Sequence, residues 1–195
     1  MRWFSLEQDR FAARVDLGFY SLAAWVRAAV ALTELPAHQA WRSAGWVLTG
    51  GVGWTLAEYV LHRFVLHGLQ PFKRWHALHH ARPQALIATP TLLTAVLFAV
   101  VVMAPAAWLL PTWQASALLL GVTAGYLTYI LMHHAVHHAG GARTSLRWHR
   151  RWHGAHHRVG ASVCYGVSVP LWDYVFRSAR PRQVPRTTRD VSTQP

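Results

Sequence analysis

Between Arg82 and Arg143 the chain contains no Asp, Glu, Lys or Arg, and most of that stretch is Leu, Ala, Val and aromatic. A water-soluble surface cannot be built from such a segment, since ordinary soluble domains carry roughly 25% charged residues. Over all 195 residues only 13% are charged while 53% are apolar. The solvent that suits this composition is a bilayer. A spanning helix needs about 20 mostly apolar residues, and segments 85–110 and 112–132 both qualify. Only the short LPTW turn separates their apolar cores, so they read as a helical hairpin. Segment 44–61 stays apolar until Glu58, near its end, and reads as a further span. Segment 17–33 carries Arg27. A central Arg costs about 2.5 to 3.5 kcal/mol on insertion, so this segment either spans or lies on the interface.

The expected fold is therefore an all-α integral membrane protein of about four transmembrane helices. With the N-terminus inside, the cytoplasmic segments are 1–16, 62–84 and 133–195, and they hold every Lys and Arg except Arg27 and Arg42. This matches the positive-inside bias and places a helical cap on the cytoplasmic face. The formal charge of +12 is explained by that topology; no nucleic-acid-binding module is visible, and nucleic acid is not an expected partner. Cys164 is the single cysteine, which excludes an internal disulfide framework. The N-terminal sequence MRWFSLEQDRFAARVD lacks the pattern of a cleaved signal. Three regions are expected: 1–43, an N-terminal amphipathic segment and first membrane helix; 44–177, a catalytic membrane domain; and 178–195, a disordered basic tail.

Of the 14 histidines, all but His38 fall in 62–80 and 133–157. They form four groups: HRFVLH (His62, His67), HALHH (His76, His79, His80), HHAVHH (His133, His134, His137, His138) and HRRWHGAHH (His149, His153, His156, His157). The pattern R-W-H-x-x-H-H occurs twice, at 74–80 and 151–157. Its histidines stand at i, i+3 and i+4, on one helical face. Such a face can offer two imidazoles to one metal and the third to a neighbouring metal. His133 and His137 share a face in the same way, and His134 and His138 form a second pair turned about 100° from them. His62 and His67 are five apart and share no face on a regular helix, so the helix is expected to end or bend between them. Some ten well-placed imidazoles exceed what one ion can use, which argues for two metals. Imidazole alone suits zinc, copper, iron or nickel. Glu58, one turn before His62, and Asp173 are the carboxylates placed to orient ring nitrogens. A histidine-rich metal binder or transporter is the non-enzymatic alternative, but it should carry ionisable residues along its spans, and the hairpin 85–132 has none.

These motifs resemble the fatty acid hydroxylase and sterol desaturase family of membrane non-haem di-iron enzymes. The similarity covers about 45–177, with EYVLHRFVLHG, WHALHH, HHAVHH, WHGAHH and YGVSVPLWDYVF in the family's order. The resemblance implies metal ligands at His62, His67, His76, His79, His80, His133, His137, His153, His156 and His157. It adds His138 as a possible extra ligand and leaves His134 and His149 at non-ligand positions. It further implies two iron ions, dioxygen as co-substrate, and hydroxylation or desaturation of a membrane lipid C–H bond. No cytochrome b5 domain fits within this chain, so an external ferredoxin or cytochrome b5-like donor with its reductase is expected. Carotenoid ring hydroxylases share the histidine series and compact size, but the PLWDYVF ending is closer to the fatty acid and sterol branch.

Overall fold

The structure, a computed structural model, describes residues 6–139, 146–158 and 162–179. Most of the expected basic tail, 180–195, lies outside the described residues. Among those described, secondary structure is helical, and strand pairing is limited to one isolated bridge between Glu7 and Ile87. Helix α1 is Arg10–Glu34, started by the Asp9 side chain, which accepts the Ala12 amide at 2.7 Å as an N-cap. Helix α2 is Ala40–Val60 and runs on into a π-helical turn, Leu61–Leu66. Helix α3 is Phe72–Ala81. Helices α4 (Thr91–Phe98) and α5 (Ala104–Leu109) are joined through a second π turn, Ala99–Met103. Helix α6 is Thr112–His138, α7 is Arg147–His156 and α8 is Leu171–Val175.

Three of these helical stretches are long and apolar enough to cross a membrane: Arg10–Glu34, Thr91–Leu109 and Thr112–His138. Their outward faces stay bare, with Leu32 80%, Trp25 76% and Trp108 86% exposed. Apolar patches of that extent mark lipid contact, and the chain is a membrane protein. The first segment, left open between span and interface by Arg27, is one continuous helix. Helix α2 falls short on hydropathy because Gly and Trp dilute its aliphatic residues. It nevertheless packs most closely of all against α6. At 27 residues, α6 is about 40 Å long, some 10 Å more than a hydrocarbon core. Its last turns carry His133 and His137.

The α2–α6 seam is made by glycine. A Cβ on Gly50 would collide with the Leu118 carbonyl, and one on Gly121 with the Val47 carbonyl. Gly125 admits the Trp54 side chain, whose atoms lie 2.8 Å from where a Cβ would sit. Small residues permit this backbone approach in membranes, where packing is a main force joining helices. The Trp54 and Tyr126 rings then meet edge to face at 5.0 Å, and Tyr20 of α1 meets Tyr126 at 4.9 Å. The seam sets how His62, in the π turn that follows α2, is carried toward the histidines at the end of α6. Replacing Gly121 by Leu is expected to cost about 3 kcal/mol or more, the upper range for overpacking, since the clash is with backbone. Folded yield in detergent should fall sharply, whereas Gly53→Leu, with nothing within 4 Å of its Cβ position, should be tolerated.

Candidate metal centre

The helix expected to end or bend between His62 and His67 does end there, at Leu66, with His67 as its C-cap. Before that end it runs as a π turn over Leu61–Leu66. Hydrogen bonds in a π turn reach i→i+5, so residues five apart come onto one side. The two rings lie 5.3 Å apart between centroids. The π turn thus delivers a histidine pair that an α-helix could not. Helix α3 carries His76, His79 and His80, the end of α6 carries His133 and His137, and α7 with its cap carries His153, His156 and His157.

These ten histidines converge in two groups of five. The first is His62, His67, His76, His80 and His156; the second is His79, His133, His137, His153 and His157. Within each group one nitrogen per ring lies within 4.8 Å of all the others. Each R-W-H-x-x-H-H arm keeps its i, i+4 pair with its own group and sends the i+3 histidine across: His79 into the second, His156 into the first. His138 lies outside both groups and faces His134, with ring centroids 4.7 Å apart.

The donor set fits metal ions. In the first group, Nε2 of His76 is 3.0 Å from Nε2 of both His62 and His80, and those of His67 and His156 are 3.1 Å apart. In the second, Nε2 of His153 is 2.8 Å from that of His137 and 3.0 Å from that of His157. Ligands about 2.0 to 2.1 Å from one ion at angles of 90 to 109° stand about 2.9 to 3.4 Å apart, close to these values. Two rings identify their own tautomer. His62 Nδ1 donates to the Tyr165 carbonyl at 2.5 Å, and His156 Nδ1 donates to the Val163 carbonyl at 2.9 Å. Their Nε2 atoms are therefore bare lone pairs turned to the cluster, the form a metal needs. His79 has both ring nitrogens buried with no hydrogen-bond partner among the described residues, a costly state unless something else accepts the lone pair.

Electrostatics points the same way. Burial, with neighbouring imidazoles adding to it, pushes His79 down to about 3, His80 to about 4, His156 to about 3 and His157 to about 2. Burial takes His76 lower still. At neutral pH these rings are uncharged and each keeps one nitrogen without a proton, and metal binding requires neutral imidazole.

Glu58 and Asp173 touch backbone rather than rings. Glu58 accepts the Val167 and Ser168 amides at 2.7 and 2.9 Å and the Ser168 hydroxyl at 2.5 Å. Asp173, fully buried, accepts the Tyr165 and Gly166 amides at 2.9 and 2.8 Å and the Ser178 hydroxyl at 2.8 Å. Tyr59 donates to Ser178 Oγ at 2.7 Å, and Arg63 donates to Tyr59. Both carboxylates thus pin the strip 165–168, whose Tyr165 carbonyl holds His62. Sequence reasoning passed over Tyr59, Arg63, Tyr165, Ser168 and Ser178. The signal available for all but Ser178 was their concentration in two short motifs, EYVLHR, which includes His62, and YGVSV.

An all-helical membrane scaffold that gathers two histidine groups able to hold metal ions defines the class, and comparison with known proteins agrees. Residues 47–178 match the family described as fatty acid hydroxylase. A dihydroceramide fatty acyl 2-hydroxylase, FAH2 of Arabidopsis thaliana, is 32% identical over 151 residues, 67% of this chain and 58% of that protein. The chain thus spans little more than half the length of this relative. The solved structure of full-length scs7p, in which only the hydroxylase domain is visible, superposes with a TM-score of 0.76 at 23% identity, over 92% of this chain and 70% of that one. The chain belongs to the fatty acid hydroxylase family.

Proposed function

We propose that this chain is a four-span, iron-dependent lipid hydroxylase, with its histidine cap on the cytoplasmic side and the ten grouped histidines as ligands of two iron ions. The observation that carries the reading is the pair of five-histidine groups, each with one nitrogen per ring within 4.8 Å of the rest. Helix α2 is the fourth span, seated on α6 through Gly50 and Gly121. The catalytic unit is 44–177, preceded by the membrane helix of 1–43 and followed by a basic tail, 178–195.

Bound between such rings, iron supplies dioxygen activation. The chain supplies the setting. Neutral imidazoles hold cationic charge without burying carboxylates beside it, and apolar surroundings keep bulk water from the reacting carbon. The balanced reaction takes one lipid C–H, dioxygen, two electrons and two protons to a C–OH and water. Electrons come from an external ferredoxin or cytochrome b5-like donor with its reductase. An acidic donor face would meet exposed Lys73, Arg74, Arg147, Arg151 and Arg158 around the cap.

Acyl lipid is the substrate class, on two grounds. The Arabidopsis relative is named for a fatty acyl substrate. An apolar cavity of about 290 Å³ lies among α1, α4 and α6, walled by Phe19, Phe98, Met103 and Tyr126, two turns of α6 from His133. Lipid extracts of cells with and without this protein, grown under isotopically heavy dioxygen, test the reading. A fatty acyl lipid bearing one heavy hydroxyl oxygen is expected only with the protein. An alkene product would make it a desaturase, and an unchanged lipid profile would sink the proposal.

A further inference from the structure

The two histidine groups are built alike but held differently. In the first, His62 and His156 each donate Nδ1–H to a backbone carbonyl, of Tyr165 and Val163 respectively. Both carbonyls belong to one extended strip between α7 and α8. Asp173 clamps that strip through the Tyr165 and Gly166 amides, and Glu58 clamps it through Val167 and Ser168. The strip is further tied by the Cys164 amide, which donates to the Ser178 carbonyl at 2.8 Å, and Cys164 itself takes a left-handed φ of 58°. In the second group, Nδ1 of His79, His153 and His157 is buried with no hydrogen-bond partner among the described residues. Among the described residues, two rings of the first group thus have tautomer and orientation fixed by backbone carbonyls, whereas no ring of the second group is held through Nδ1.

We infer that the two metal sites are inequivalent: the 163–168 strip is a carbonyl clamp that makes the His62/His67/His76/His80/His156 site the tighter and first-filled one, with Asp173 and Glu58 as its positioning residues. The inference rests on the dimetal reading above. Partners of this kind commonly change metal affinity 10- to 100-fold when removed, because the ring loses a fixed tautomer and an acceptor that raises its basicity.

The test is equilibrium titration of metal-free, full-length protein in detergent with Co²⁺ against a competing chelator, read by the visible absorption of the bound ion. The wild type should load in two steps, the first at least about tenfold tighter. Asp173→Asn and Glu58→Gln should each weaken the tight step about 10- to 100-fold and leave the weak step in place. His133→Ala should remove only the weak step, and this variant keeps the test usable should the carboxylate variants misfold. Two steps of equal affinity in the wild type would overturn the inference, as would a loss shared equally by both steps in Asp173→Asn. No uptake of Co²⁺ at all would overturn the dimetal reading itself.

Discussion

His153→Ala is expected to abolish lipid oxidation, while His134→Ala leaves it near the wild-type rate. His153 is 3% exposed, and its Nε2 stands between those of His137 and His157 at 2.8 and 3.0 Å. Removing it takes the central donor from the second group and leaves two partners facing a void. His134 points to the other side of α6, toward His138, and belongs to neither group. Turnover and metal content measured on both purified variants check this. Loss of one metal per chain should accompany the first substitution only. Equal tolerance of the two changes would show that the second group is not a ligand set.

The crossing of the arms makes an equally large and less intuitive prediction. His156 sits in sequence between His153 and His157 but in space with His62 and His67; its Nε2 is 3.1 Å from that of His67 and its ring 4.4 Å from that of His62. Residues serving one site couple, and residues serving separate sites add. A double-mutant cycle on metal affinity should therefore show strong coupling between His67→Ala and His156→Ala. The pair His153→Ala and His156→Ala, adjacent on one helix, should come closer to additivity. The reverse ordering would mean that each R-W-H-x-x-H-H arm serves a single metal.

Much of this molecule is written in residue type. The hairpin expected at 85–110 and 112–132 corresponds to the apolar stretches Thr91–Leu109 and Thr112–His138, because aliphatic composition reports directly on the solvent. The i, i+3, i+4 spacing placed three imidazoles on one face, with two for one centre and the third for its neighbour, and helix geometry alone licenses that division. What escaped the sequence has physical reasons. A π turn has no residue signature, since it depends on which carbonyl each amide selects; the i, i+5 spacing of His62 and His67 therefore pointed to an end or a bend without showing the π turn that precedes it. The clamping carbonyls of Val163 and Tyr165 are backbone atoms, which every residue carries. Glu58 and Asp173 stood out as charges near the histidines, but their work on the 165–168 amides required knowing where α8 folds back. Among the Gly and Trp residues that weaken the hydropathy of α2 are Gly50 and Trp54, which pack it against α6.

The proposed function requires two iron ions, one in each five-histidine group, that drive oxidation of a lipid. Its most direct test is to measure iron per chain in the purified, reconstituted protein and then follow dioxygen uptake after reduction, with and without a fatty acyl lipid. The expected result is about two iron per chain, one for each group, and dioxygen consumed in step with hydroxylated lipid. Protein that holds two iron ions, is reduced, and still leaves dioxygen and every offered lipid untouched would contradict the account.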